Sequence, residues 1–61
     1  MSVFIVPDAL SGGRVDATAA RISGYSRSRV EALIEAGGVL LDGAVVARAS
    51  QRVAGGELLE L

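Results

Sequence analysis

The stretch Ser26-Arg27-Ser28-Arg29 puts two guanidiniums and two hydroxyls together at what reads as the start of a helix. Residues of these types, so placed, hold phosphate. Arginine forks grip phosphate oxygens in a bidentate way and serine hydroxyls add donors. The first backbone N–H groups of a helix have no partner within it and point outward, ready for an anion. Without an anion the arrangement is unfavourable. The helix dipole makes that end partly positive, which opposes an exposed cation by roughly 0.3–1 kcal/mol. The alternative is that both side chains simply stand in water and lose little.

Charge counting alone favours solvated arginines, and only together with these helix-start residues does the charge split favour the binding reading. The chain has no lysine, so its basic residues are six arginines, and its net charge is −1. Residues 14–29 hold Arg14, Arg21, Arg27 and Arg29 against Asp16 alone, a local charge of +3. Everything else holds Arg48 and Arg52 against Asp8, Glu31, Glu35, Asp42, Glu57 and Glu60, a charge of −4. A basic segment inside an acidic remainder implies one face turned toward an anionic partner.

Other chemistry finds no residues to perform it. With no cysteine and no histidine, the segment has no disulfide framework, no zinc finger and no cysteine or histidine nucleophile. A phosphate-binding Walker loop requires a lysine that is missing. Ser11-Gly12-Gly13-Arg14-Val15-Asp16 is glycine-rich, but it lacks the spacing of a dinucleotide fingerprint and reads as a turn. Glu31 and Glu35, four residues apart, form a solvated helix face. The segment is therefore expected to contain no catalytic residue, no metal site and no cofactor site. No run approaches the roughly 18–20 apolar residues of a membrane span, so the expectation is a soluble, cytoplasmic monomer.

Sixty-one residues, 51% of them apolar, make one small domain that buries only about 60% of its unfolded surface. Val3–Pro7 reads as a strand stopped by proline, and Asp8–Gly13 as a loop. Val15, Ala19 and Ile22 recur on one face of a first helix that stops at Gly24. A second helix starts with Ser26 as N-cap, Tyr25 and Val30 forming a hydrophobic staple; Ser28 with Glu31 offers a competing capping box. Val30, Leu33 and Ile34 are its buried stripe and Gly37 its end. Asp42-Gly43 between the apolar runs of Val39–Val46 marks a type I′ hairpin, and Glu57–Leu61 a last strand. The order predicts an α+β fold. Two packed short helices precede a β-hairpin and a further strand, in a small antiparallel or mixed sheet joined by an extra amino-terminal strand.

Taken together, these pieces resemble the S-four (S4) RNA-binding domain. The resemblance rests on Arg14-Val15-Asp16, Ser26-Arg27-Ser28-Arg29, Leu33-Ile34-Glu35-Ala36-Gly37, Val39-Leu40-Leu41-Asp42-Gly43 and Val53-Ala54-Gly55-Gly56-Glu57, in that order. It covers residues 14–61, with residues 1–13 as an amino-terminal strand and lead-in. Val6 to Ala17 in turn resembles the lead-in of large-subunit-type pseudouridine synthases. The resemblance implies an RNA-binding accessory module at the amino end of such an enzyme, docking structured ribosomal RNA through a basic helix N-terminus. The catalytic domain would lie elsewhere in the longer protein, and an ending on apolar Leu61 within a strand fits a piece of one. It implies RNA contacts at Arg14, Ser26, Arg27, Ser28, Arg29 and Arg48, with Arg52 beside them. Asp16, Val30, Leu33, Ile34, Val39 and Val53 fall at structural positions. Asp42 stands where the family commonly has asparagine and adds negative charge near the RNA face. Two alternatives remain open: the same module in another RNA-modifying or ribosome-associated protein, or a protein-interaction module that binds no RNA.

Overall fold

The computed structural model describes residues 2–61. Its elements, in chain order, are β1 (Val3–Ile5), α1 (Val15–Ser23), α2 (Arg27–Glu35), β2 (Leu40–Leu41), β3 (Ala44–Val45) and β4 (Leu58–Glu60), with a short 3-10 turn at Asp8–Leu10. That turn lies where the sequence suggests only a loop. It starts behind Pro7, whose extended backbone aims Asp8 at the Gly55-Gly56 turn. The approach is close enough that a Cβ at Gly55 would collide with Asp8.

The helices begin and end for local reasons. Gly24 closes α1 in the left-handed region at φ 79°, which a side chain would resist. Ser26 caps α2 by accepting the Arg29 N–H at 3.1 Å, so the competing cap at Ser28 is not used. Past its last turn, Gly37 N–H donates to the Ile34 carbonyl at 3.0 Å and Gly38 N–H to that of Leu33 at 2.8 Å. This is a Schellman closure, with Gly37 at φ 77°. Between β2 and β3, Asp42 and Gly43 take φ values of 50° and 82°, as a type I′ turn requires.

All strand pairs are antiparallel, in the order β1-β4-β2-β3. The register pairs Phe4 with Leu59 and Leu59 with Leu41, which places these three on the face toward the core. Val15 and Ala19 of α1 and Val30 and Ile34 of α2 meet them in one cluster with Val6, Val39, Val46, Val53 and Leu61. The opposite face carries Val3, Ile5, Leu40, Val45, Leu58 and Glu60, as the same pairing dictates. Val3, Ile5 and Val45 are exposed there. Asp42 ties the hairpin tip to β4: its carboxylate accepts the Leu58 N–H at 2.8 Å and its own N–H donates to the Leu58 carbonyl at 2.8 Å.

Leu59 is fully buried at the centre of both sheet and core. Leu59→Ala should cost about 3 kcal/mol. A domain of this length holds roughly 3–9 kcal/mol in all. Urea titration followed by circular dichroism should therefore show the variant substantially unfolded, or with a midpoint lowered by at least about a third.

Candidate nucleic-acid interface

The two helix starts are differently equipped. At α1, the segment after the hairpin lies against the first turn and supplies acceptors. The Val15 N–H reaches the Gln51 carbonyl at 2.7 Å and the Asp16 N–H that of Ala49 at 3.3 Å. The Ala17 N–H donates to the Asp16 carboxylate at 2.7 Å, so this end is closed. At α2, Ser26 satisfies Arg29 through its hydroxyl and Val30 through its carbonyl. Among the described residues the Arg27 and Ser28 N–H groups have no acceptor. The end that the sequence marks for an anion is the one left open.

Asp16 joins the two helix starts. It is fully buried, yet its carboxylate accepts four hydrogen bonds. Arg14 donates to it twice, through Nε and Nη2 at 3.1 Å each. Arg27 donates through Nη2 at 2.8 Å, and Ala17 through its backbone. The cover over Asp16 is thin, because both arginines remain about half exposed, at 45% and 53% of their side-chain surface. One negative charge thus holds two guanidiniums in fixed orientation and leaves an excess positive charge facing out.

Two more arginines are steered by non-acidic partners. The Arg29 guanidinium lies 4.1 Å from the centre of the Tyr25 ring, a cation–π contact that holds the fork without neutralising it. Arg52 forms an antiparallel bridge with Arg14. The flanking bonds, Val15 N–H to Gln51 and Val53 N–H to the Gly13 carbonyl at 2.9 Å, make this a non-hydrogen-bonded pair. In such pairs the side chains stand on one face and closest together. Like charges so placed repel. Arg14 turns to Asp16, while Arg52 donates to the Gly12 carbonyl at 3.2 Å.

A family model for the S4 domain matches residues 13–59. The chain belongs to the S4 domain family. S4 domains are RNA-binding modules. The chain is also similar to two proteins named as uncharacterized RNA pseudouridine synthases, one from Mycobacterium bovis and one from Mycobacterium tuberculosis. It is 48% identical to each over 56 residues, which is 92% of this chain and 18% of theirs.

Of the seven residues expected to face RNA, the S4 domain gathers six into two adjoining groups. Ser26, Ser28 and Arg29 lie at the open start of α2, next to Arg27; Arg14 and Arg52 face each other beside α1. Arg48 is set apart. It lines a separate hollow of about 330 Å³ with Glu31, Ile34, Glu35, Ala47 and Ala49, a lining that also carries two carboxylates. Two residues escape the sequence reading. Tyr25 serves as a ring under Arg29 as well as an apolar staple, and Arg21 shares a hollow with Arg14. Tyr25 sits four residues before Arg29, a spacing that could have suggested the contact; Arg21 had no such signal.

Burial pushes the Asp16 carboxyl upward, but the hydrogen bonds from Arg27, Arg14 and the Ala17 N–H outweigh it and hold its pKa below the usual aspartate value. The same bond to Asp16 raises the pKa of Arg27. A carboxyl with a depressed folded-state pKa stabilises the fold above its unfolded value, about 3.9. That contribution is lost as the pH falls through the folded value. Asp16→Asn should therefore cost about 2 kcal/mol at neutral pH. This lies below the usual 3–5 for breaking a buried pair because the arginines can turn to water. Thermal melts should show a deficit of about 8–16 °C. The gap between variant and parent should close as the pH drops from about 5 to below 3; a gap independent of pH would mean that the charge of Asp16 is immaterial.

Proposed function

We propose that this S4 domain docks structured RNA, ribosomal RNA in particular, against the amino end of α2. It would do so as the amino-terminal accessory part of a pseudouridine synthase, working in the cytoplasm as a monomer. One observation carries the reading. Among the described residues two backbone N–H groups without an acceptor, Arg27 and Ser28, open α2, and the half-exposed side chains of Arg14 and Arg27 beside them share a single carboxylate. A phosphodiester placed there accepts from the backbone and from arginine forks already aimed by Asp16 and Tyr25. Arg14, Ser26, Ser28, Arg29 and Arg52 extend the contact along the same backbone, and Arg48 adds a weaker, outlying charge.

Such a site recognises backbone and shape. Side chains cannot read the deep, narrow major groove of A-form RNA, so duplex RNA is met through phosphates, 2′-hydroxyls and helix geometry. The resemblance to pseudouridine synthases, with the chain spanning under a fifth of their length, supports a division of labour. This module would hold the RNA, and a catalytic domain in the longer protein would isomerise the uridine.

A second reading draws on the outer sheet face, where Val3, Ile5 and Val45 stand exposed: docking of a protein through apolar contact. Salt separates the two. With about four phosphates engaged, log K for RNA should fall against log salt with a slope near −3. Arg27→Ala combined with Arg29→Ala should weaken binding to an RNA hairpin by at least about tenfold and bring the slope to about −1.5. An unchanged affinity in that folded double variant would refute RNA docking at α2. Salt-insensitive binding of a protein, with chemical-shift changes at Val3, Ile5 and Val45, would establish the second reading instead.

A further inference from the structure

On the far side of Arg14 from α2, a hollow of about 270 Å³ lies between the 3-10 turn and the outer face of α1. Leu10 and Ala17 give it apolar walls, and Arg14 and Arg21 stand at its rim, two helical turns apart. Thr18 completes the lining. Thr18 is only 4% exposed, and among the described residues its hydroxyl has no hydrogen-bond partner. No fully buried side-chain oxygen among the described residues is left unpaired, so the accessible part of this hydroxyl opens into the hollow it lines. Gly13 keeps that opening clear. A Cβ there would stand 3.1 Å from the Thr18 Oγ1 and 3.2 Å from the Leu10 carbonyl.

We propose that this hollow seats one unpaired nucleobase of the bound RNA, with the phosphates on either side of that nucleotide drawn to Arg14 and Arg21. The proposal rests on RNA docking at α2 and extends it, because Arg14 belongs to both surfaces and makes them continuous. The hollow's chemistry suits a base: apolar walls for its faces, one hydroxyl able to donate or accept at its edge, and guanidiniums for the charge that accompanies it. Extruded bases in loops and bulges are what proteins read in RNA when sequence or irregularity matters. An apolar ligand would leave the Thr18 hydroxyl unpaired, and a duplex face would not enter the hollow.

The test compares RNA hairpins of one stem sequence, fully paired or carrying a single extra unpaired nucleotide at successive positions. At least one bulged hairpin should bind the domain about tenfold more tightly than the paired stem, the scale of one stacked base. It alone should shift the Ala17 and Thr18 side-chain methyl resonances. Ala17→Leu, which fills the hollow, and Thr18→Val, which removes the hydroxyl at nearly constant volume, should each reduce that preference while leaving affinity for the paired stem unchanged. Arg29→Ala should weaken both RNAs alike. If Ala17→Leu does not fold, Thr18→Val and the parent chain's resonances decide. Equal binding of paired and bulged RNAs, or a preference untouched by these substitutions, overturns the base-seating hollow and leaves docking at α2 intact. Failure of the parent chain to bind any of the hairpins overturns both.

Discussion

The arrangement depends on one carboxylate with four donors. Asp16 is the point at which the starts of α1 and α2 meet, each contributing positive dipole and an arginine. Two helix N-termini brought together with two guanidiniums would repel without a negative charge between them. Removing that charge from water is unfavourable in itself, and a buried ion pair often contributes little net stability. Here the balance is helped by asymmetry. The anion is covered and fully hydrogen-bonded, whereas both cations keep about half of their surface in solvent. What the pairing gains above all is direction. Arginine forks that would otherwise sample many rotamers are held at fixed angles beside the open end of α2, and a planar fork held in advance loses less on meeting phosphate than a flexible ammonium would. A chain whose only cations are arginines is consistent with recognition by geometry.

The same logic explains why one helix start is closed and the other open. In α1 the carbonyls of Ala49 and Gln51 and the Asp16 side chain occupy the first-turn donors. The segment supplying them also brings Arg52 opposite Arg14. In α2 the described residues supply the Ser26 cap and no acceptor for the Arg27 and Ser28 N–H groups. Closing α1 and opening α2 are thus two results of one chain path. The loop after the hairpin stabilises the helix it touches and adds a cation to the face that the other helix presents.

What could be read from the sequence was what short-range rules control. Ser26 as cap, Gly24 and Gly37 as stops, and Asp42-Gly43 as a type I′ turn each follow from φ preferences or from hydrogen bonds three residues apart. The buried stripe of α2 follows from helical period. The charge split pointed to the basic face for the same reason, since its residues cluster in sequence. Contacts between distant residues were not legible. The resemblance put Asp16 at a structural position, but nothing in the spacing revealed that Arg27, eleven positions on, donates to it. The pairing of Arg14 with Arg52 and the place of buried Thr18 in the lining of the hollow required the chain path itself. Asp42 shows the limit from the other side. Its charge suggested interference with an RNA face, but its carboxylate holds the Leu58 N–H of β4. That is a structural use, made possible by a strand sixteen residues away in sequence.

These long-range pairings link stability to binding. Arg14 and Arg52 repel across their bridge, and the excess charge around Asp16 is relieved only by solvent and salt while no anion is bound. A ligand that meets only the folded chain stabilises it in proportion to the logarithm of its concentration over its dissociation constant. A polyanion would add to this by removing the repulsion it finds. The positive face is therefore one at which a phosphate would relieve repulsion already present in the free domain. Asp16 sets the balance between the two: strong enough to keep the arginines in place, and a single charge too few to satisfy them.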